Sequence, residues 1–277
     1  MTDRLPPGLY VVATPIGNLG DLGPRAADTL RRANRVLAED TRVTGKLLRH
    51  VGANVPMTRY DDHSSDEQRA RIVAELGTSA IALVSDAGTP LISDPGYKLV
   101  RAARAAGHAV TAVPGPSALV AALSIAGLPT DRFLFVGFLP AKAKARADAI
   151  AEIAGVRATL VFYESGSRLA DALAALADGL GDRDAAVARE LTKLHEECVT
   201  GSLAELAGRY RDAAPKGEIV IVVGPPGEAE AVSDEALDAA LDKAMTRLSA
   251  SRAAAEVAAK LNVPRKRAYA RALGRAK

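Results

Sequence analysis

The feature that most constrains this chain is an alternation through its first half. Strand-sized apolar runs, LYVVAT, RVLAED, PMTRYDD, AIALVSD and HAVTAVP, are each followed by a stretch with helical spacing or helix caps. Strands alternating with helices form a parallel sheet, because each parallel connection must cross over the sheet. Several helix boundaries are marked. Ser65 and Gln68 have the spacing of a capping box, and Asp94 with Pro95 predicts an N-cap and a first-turn proline before YKLVRAARAAG. Gly107 predicts the stop of that helix.

After LSIAGLPTDRF the texture changes. The runs FLFVGFL, ATLVFYE, DAAVARELT, HEECVTGS and GEIVIVVG lie closer together with fewer helices between them, which predicts a mixed or antiparallel sheet. The segment GPPGEAEAVSDE reads as a linker, and three short helical patterns follow, the second capped by Ser249 or Ser251 and the third opened by Pro264. The expected architecture is α/β. An N-terminal parallel-sheet domain spans 1–127, a second α/β domain spans 128–224, a linker spans 225–235 and a basic helical module spans 236–277.

With 277 residues, 25% of them charged, and no apolar run of about 18, the composition excludes a disordered chain and a membrane span. The polar start MTDRLPPG lacks signal-peptide features, and the one cysteine, Cys198, has no partner for an intrachain disulfide. The expected location is the cytoplasm. The net charge of +3 is unevenly placed, since residues 241–277 hold ten Lys and Arg against Asp242 and Glu256. Such a tail reads either as a handle for nucleic acid or as a solvated helical face.

In open α/β sheets ligands bind beyond the carboxyl ends of the strands. Four such ends carry loops rich in small residues and proline: ATPIGN, SDAGTP, PGPSA and YESGS. Each reads alone as an ordinary turn, and together they read as the rim of a ligand site. The dinucleotide fingerprint, the phosphate-binding P-loop and G-x-S-x-G are all missing from the sequence. No metal site is expected, and His195, Glu196 and Glu197 read as a polar strand edge. Cys198 reads as a small buried hydrophobe. Asp40 in AEDTR and Ser65 after YDDHS read as helix N-caps or as polar groups at a pocket rim.

The segments YVVATPIGNLGD, VLAEDTR, ALVSDAGTPLISDPG, VPGPSALVAAL, FLFVGFLP, TLVFYESGSRL, ARELTKLHEE and GEIVIVVG, in that order, resemble the tetrapyrrole methylase superfamily. More narrowly they resemble its branch that methylates the ribose 2′-hydroxyl of a cytidine in 16S ribosomal RNA of the small subunit. The resemblance implies a two-domain α/β fold of the tetrapyrrole methylase type, a homodimer, and S-adenosylmethionine in a cleft between the domains. Carried over by position, the cofactor residues are Pro15, Ser85, Asp86, Gly88, Ser117, Ala118, Tyr163, Leu191 and Ile219. Candidates for a general base, which a ribose hydroxyl acceptor calls for, are Asp40, His63 and Asp94. Arg42 and Arg168 are candidate phosphate contacts, as are Arg265, Lys266, Arg267 and Arg271 in the tail, whose length suits a helix-turn-helix. Two other readings stay open: a methyltransferase acting on a corrin or porphyrin-type small molecule, and a non-catalytic RNA-binding protein of ribosome assembly.

Overall fold

The structure is a computed structural model that describes residues 5–212, 214–227, 233–261 and 263–275. Residues 228–232 of the expected linker lie outside the described residues. By contact density the chain divides after Pro225 into two compact units.

The first unit opens with β1 (Gly8–Val12), α1 (Pro24–Arg32), β2 (Arg35–Ala38), α2 (Thr41–His50), β3 (Met57–Arg59), α3 (Asp66–Glu75), β4 (Ala80–Leu83), α4 (Tyr97–Ala105) and β5 (Val110–Val113). All five strands are parallel, in the order β3-β2-β4-β1-β5. Period-two alternation sends successive side chains to opposite faces. Ala80 and Ala82 of β4 pack with Leu30 of α1 and Leu48 of α2, whereas Ile81 and Leu83 pack with Ile72 of α3 and Leu99 of α4. Every residue of β4 is buried, as a strand covered on both faces requires.

Next come α5 (Ala118–Ile125), β6 (Phe133–Phe138), α6 (Ala143–Ile153), β7 (Thr159–Ser165), α7 (Leu169–Leu180), β8 (Asp184–Arg189), β9 (Glu197–Ser202), α8 (Leu203–Tyr210) and β10 (Glu218–Val223). Their strands form a second sheet, ordered β6-β7-β10-β8-β9, parallel only between β6 and β7 and so mixed. One face packs against α6, α7 and α8 through Ile150, Leu173 and Leu206. The other face meets α5, whose Leu119, Ala122 and Leu123 bury against Val161, Ala186, Val220 and Val222 together with Ile16, which follows β1. Each leucine buried there contributes about 1.5–3 kcal/mol. Through α5 and Ile16 the two sheets share one apolar seam.

Local signals mostly act where the sequence places them. Asp40 and Ser65 accept hydrogen bonds from the backbone N–H of Arg42 and Gln68 and cap α2 and α3. The Gln68 side chain instead donates to the Arg59 carbonyl at 2.8 Å, so the capping box is half formed. Gly107, at φ +78°, ends α4 with its N–H on the Arg104 carbonyl while His108 N–H bonds the Ala103 carbonyl. The expectation for Asp94 is corrected. The N-cap of α4 is Gly96, at φ +130°, and Asp94 lies two residues earlier with its side chain bonded by Ser85 instead. Cys198 is half-buried rather than buried, and burial raises its thiol pKa.

The second unit holds α9 (Asp234–Met245), α10 (Ala250–Leu261) and α11 (Arg265–Arg275) around Leu237, Leu241, Ala254, Val257 and Ala268. Ser249 and Pro264 sit immediately before α10 and α11. Asp234, Asp238 and Asp242 recur every four residues on α9, and Arg267, Arg271 and Arg275 recur every four on α11. The two rows interlock: Asp234 takes Arg267 and Arg271, Asp238 takes Arg271 and Arg275, and Asp242 takes Arg275. Counting from residue 226, ten basic residues face seven acidic ones, so this unit carries +3 and the charge excess of its last 37 residues is largely neutralised within it.

A Cβ on Gly96 would stand 2.8 Å from Leu83 Cδ2 at a backbone angle that other residues rarely adopt. Gly96→Ala is therefore expected to lower unfolding stability by about 1–3 kcal/mol, measured by urea denaturation.

Candidate active site

The loops following β1, β2, β4 and β5 converge at the carboxyl end of the parallel sheet. There they meet the end of β7, the start of β10 and the loop after β8 around a cavity of about 390 Å³. That volume lies within the roughly 300–1,000 Å³ of small-molecule sites. The β4 loop is fixed to the first loop by a bridge between Thr14 and Gly88, with hydrogen bonds of 2.8 and 3.1 Å in the two directions. Gly88 holds φ +81°, and a Cβ there would press on Ile16 Cγ2 at 3.2 Å.

All four non-glycine residues with positive φ among the described residues flank this region: Leu91 and Ser93 in the β4 loop, Glu190 and Thr192 in the loop after β8. Such conformations cost of order 1–3 kcal/mol each and gather where surrounding structure enforces them for function.

Five carboxylate residues line the cavity: Glu39, Asp86 and Asp94 from the first sheet's loops, and Glu164 and Glu218, which are paired with Arg168 and Lys193. Burial raises the Asp94 pKa from 3.8 to about 6, opposed by a hydrogen bond from Ser85 and reinforced by the charges of Glu39 and Asp86. Glu39 is also raised, by burial first and then by Asp86, Asp61 and Asp62. Asp86 accepts the backbone N–H of Asp40 at 3.0 Å, tying the β2 and β4 loops together. Opposite the acids, Tyr163 accepts the Leu119 N–H of α5 at 3.2 Å and has Phe135 and Phe138 edge-on at 4.8 and 5.7 Å.

Of the residues carried over as cofactor contacts, Asp86, Gly88, Ser117, Ala118, Tyr163, Leu191 and Ile219 line this cavity. Pro15 and Ser85 line an adjoining one of about 340 Å³. Among the base candidates, Asp94 lines the cavity. The Asp40 carboxylate turns to Arg42, whose hydrogen bond holds it well below the usual carboxylate range. His63 is exposed on the loop before α3 and lines neither cavity. Arg168 lies at 3.2 Å from Glu164 and donates to the Leu139 carbonyl. Arg267 and Arg271 belong to the α9–α11 ion pairs, whereas Arg265 and Lys266 are exposed and form no ion pair among the described residues.

Glu39 and Lys193 escape a reading by motif. The register of β2 beside β4 brings Glu39 to the acids. Lys193 reaches back from the second sheet to bond Glu190 at 2.8 Å and Glu218 at 2.9 Å. The pattern of EDTR and ELTK beside loops of small residues is the only signal for either. His195 and Glu196 are exposed just before edge strand β9, and no group of three His, Cys, Asp or Glu among the described residues is placed to hold a metal.

The cavity suits a ligand that is flat and apolar at one end and cationic at the other. Ile16, Ala118, Leu191, Ile219 and Val220 offer apolar walls, while Glu39, Asp86 and Asp94 offer negative charge. S-adenosylmethionine, with a purine ring, a sulfonium and an ammonium group, has that chemistry.

Two α/β sheets with a ligand cavity at the carboxyl edge of the parallel one define a methylase-type fold. The chain belongs to the tetrapyrrole (corrin/porphyrin) methylase family, whose family model matches residues 8–207. A second family model, the RsmI C-terminal HTH domain, matches residues 230–276. A ribosomal RNA small subunit methyltransferase I of Erythrobacter litoralis is 55% identical over 227 residues, covering 82% of this chain and 81% of that protein. The protein of the same name from Mesorhizobium japonicum is 51% identical over 237 residues, 84% of this chain and 80% of its own. Among solved structures, diphthine synthase matches with a TM-score of 0.62 at 15% identity, covering 78% of this chain and 89% of that one. A uroporphyrin-III-C-methyltransferase from Thermus thermophilus matches at 0.56 and 22%, covering 78% and 93%. At those identities the structures attest the fold alone.

The raised pKa of Asp94 sets a pH dependence of stability. Near pH 3 the group is protonated folded and unfolded. Between about 4 and 6 the unfolded chain releases the proton while the folded chain keeps it, so this group lowers stability as pH rises, and above about 6 its penalty is constant. Asp94→Asn removes it. The urea midpoint of that variant, relative to the parent, is expected to climb from pH 4 to pH 7 and then level off.

Proposed function

We propose that this protein is an S-adenosylmethionine-dependent methyltransferase that methylates the ribose 2′-hydroxyl of a cytidine in 16S ribosomal RNA. The observation that carries the reading is the half-buried Asp94, held by Ser85 inside a cavity of the right size and charge. Its companion is the identity of about half the positions with proteins named ribosomal RNA small subunit methyltransferase I.

When bound, the cofactor supplies a methyl group on a cationic sulfur. The chain's part is alignment and partial exclusion of water. Pro15, Ser85, Asp86, Gly88, Ser117, Ala118, Tyr163, Leu191 and Ile219 are the residues we assign to holding it. The acid cluster compensates the positive charge, and the apolar wall formed by α5 and β10 holds the flat ring. Asp94 is the general base. Its carboxylate is ionised above about pH 6 and takes the proton of the hydroxyl, a role that neither Asp40, committed to Arg42, nor His63, on the outer loop, is placed for.

The acceptor is a large RNA, and the helical module adds a second grip on it. We assign phosphate contact there to Arg265 and Lys266, and the joining of α9 to α11 to Arg267 and Arg271. Arg42 and Arg168 are each bonded to a carboxylate, Asp40 and Glu164, and we assign them to the rim. We further propose a homodimer in the cytoplasm. Large apolar side chains stand exposed on α5 and β6, namely Val120, Ile125, Phe133, Leu134 and Phe138. No helix among the described residues is long and apolar enough to cross a membrane.

Incubation with labelled S-adenosylmethionine and small ribosomal subunits lacking the modification is expected to place label in one cytidine ribose. Label appearing instead in a corrin or porphyrin acceptor, or cofactor binding without any transfer, would refute the assignment. Asp94→Asn is expected to cut the rate by 10²–10⁴-fold, the usual share of a general base. The parent rate should rise with pH to a plateau above an apparent value near 6. Charge reversal at Arg265 and Lys266 is expected to weaken subunit binding with the module still folded. Arg271→Ala should lower the module's melting temperature and affect RNA binding only through that unfolding.

A further inference from the structure

Beside the cofactor cavity lies the second one, of about 340 Å³, bounded by the loop after β1, the first turns of α2, the start of the β4 loop and Lys193. The two cavities share Ile16, Asp86, Ala87 and Glu218 as a common wall. Nothing in the cofactor assignment uses most of its lining.

Three observations point to what enters it. Thr44, on α2, is 2% exposed, and its hydroxyl is buried without a hydrogen-bond partner in a residue that lines the cavity. A buried hydroxyl left unpaired carries a desolvation cost that a ligand's polar group removes. Lys46, two positions further along α2, also lines the cavity and forms no ion pair among the described residues. Lys193, by contrast, is matched by Glu190 and Glu218, which fix its position and absorb its charge. The opposite wall is Asp86, whose carboxylate is shared with the cofactor cavity. The lining thus offers one uncompensated cation, one hydroxyl seeking a partner and an acid toward the methyl donor's side.

We propose that this second cavity is the acceptor subsite and takes the ribose-phosphate of a single-stranded nucleotide, with Lys46 on the phosphodiester and the Thr44 hydroxyl on the sugar. The inference rests on the RNA reading given above and deepens it. The two cavities adjoin at Ile16, Asp86, Ala87 and Glu218, so a splayed nucleotide seated there has its ribose at the boundary with the methyl donor's cavity, the proximity that transfer needs.

The test uses the full-length protein and two measurements. The first is binding of a short 5′-labelled single-stranded oligoribonucleotide, followed by fluorescence anisotropy over a salt series. The second is steady-state methyl transfer to small ribosomal subunits. Lys46→Ala is expected to weaken oligonucleotide binding about tenfold, the loss of one charge-assisted contact, and to reduce the salt slope by about one. Lys46→Glu should weaken it further and Lys46→Arg should retain it. Thr44→Val, which keeps the volume, is expected to raise KM for subunits several-fold, and Thr44→Ser should restore it. S-adenosylmethionine affinity, measured by calorimetry, is expected to stay unchanged in all five. Unchanged oligonucleotide affinity and salt slope in Lys46→Glu would overturn the subsite, as would a loss confined to cofactor affinity. Failure of the parent protein to methylate subunits, with Lys46-dependent oligonucleotide binding intact, would instead overturn the ribosomal reading and leave the subsite standing.

Discussion

The contact on which the rest depends is the seating of α5 on the second sheet. This helix follows a strand of the first sheet yet buries Leu119, Ala122 and Leu123 against strands of the second, with Ile16 joining from the loop after β1. An apolar helix so placed cannot cover its own sheet as the earlier helices do. It makes the carboxyl edge of the parallel sheet face β7 and β10 across a narrow gap, and the cavity is that gap. Tyr163 reinforces the arrangement by accepting from the first turn of α5, so the second sheet satisfies a backbone donor that the helix leaves open.

The gap in turn explains the electrostatics. Glu39, Asp86 and Asp94 come from the ends of neighbouring strands, β2 and β4, and crowd together because the parallel register aligns those ends. Burial first, and the neighbouring like charges after it, raise the pKa of Glu39 and Asp94. The cost is supported by the strained loops on either side, where Leu91, Ser93, Glu190 and Thr192 all hold positive φ. A cationic ligand relieves the repulsion among the clustered carboxylates, so binding and the arrangement of acids are two aspects of one electrostatic fact.

The helical module shows a different use of charge. Its arginines repeat at four-residue spacing opposite aspartates with the same spacing, so α9 and α11 are joined by a ladder as well as by the leucines and alanines between them. Exposed ion pairs are individually weak. Several in register fix which helical faces meet, and they leave Arg265 and Lys266 as the end of α11 turned to solvent.

The sequence by itself determined the elements and their order. The parallel first sheet, the mixed second sheet and the three terminal helices follow from apolar periodicity, and the caps at Asp40, Ser65 and Gly107 follow from local hydrogen-bonding chemistry, since both depend on residues within a few positions of one another. What only the tertiary structure decided involves residues distant in the chain. Asp94 looks like a helix cap because Pro95 follows it, yet Gly96 takes the cap and Asp94 is drawn to Ser85 across the loop. Arg267 and Arg271 look like phosphate contacts until α9 packs beside them. Thr44, Lys46 and Lys193 carry no motif at all and become neighbours of one cavity through folding. Local propensity acts over a turn or two of chain, whereas desolvation and charge pairing act over distance in space, and the second kind of interaction assigns the work of these side chains.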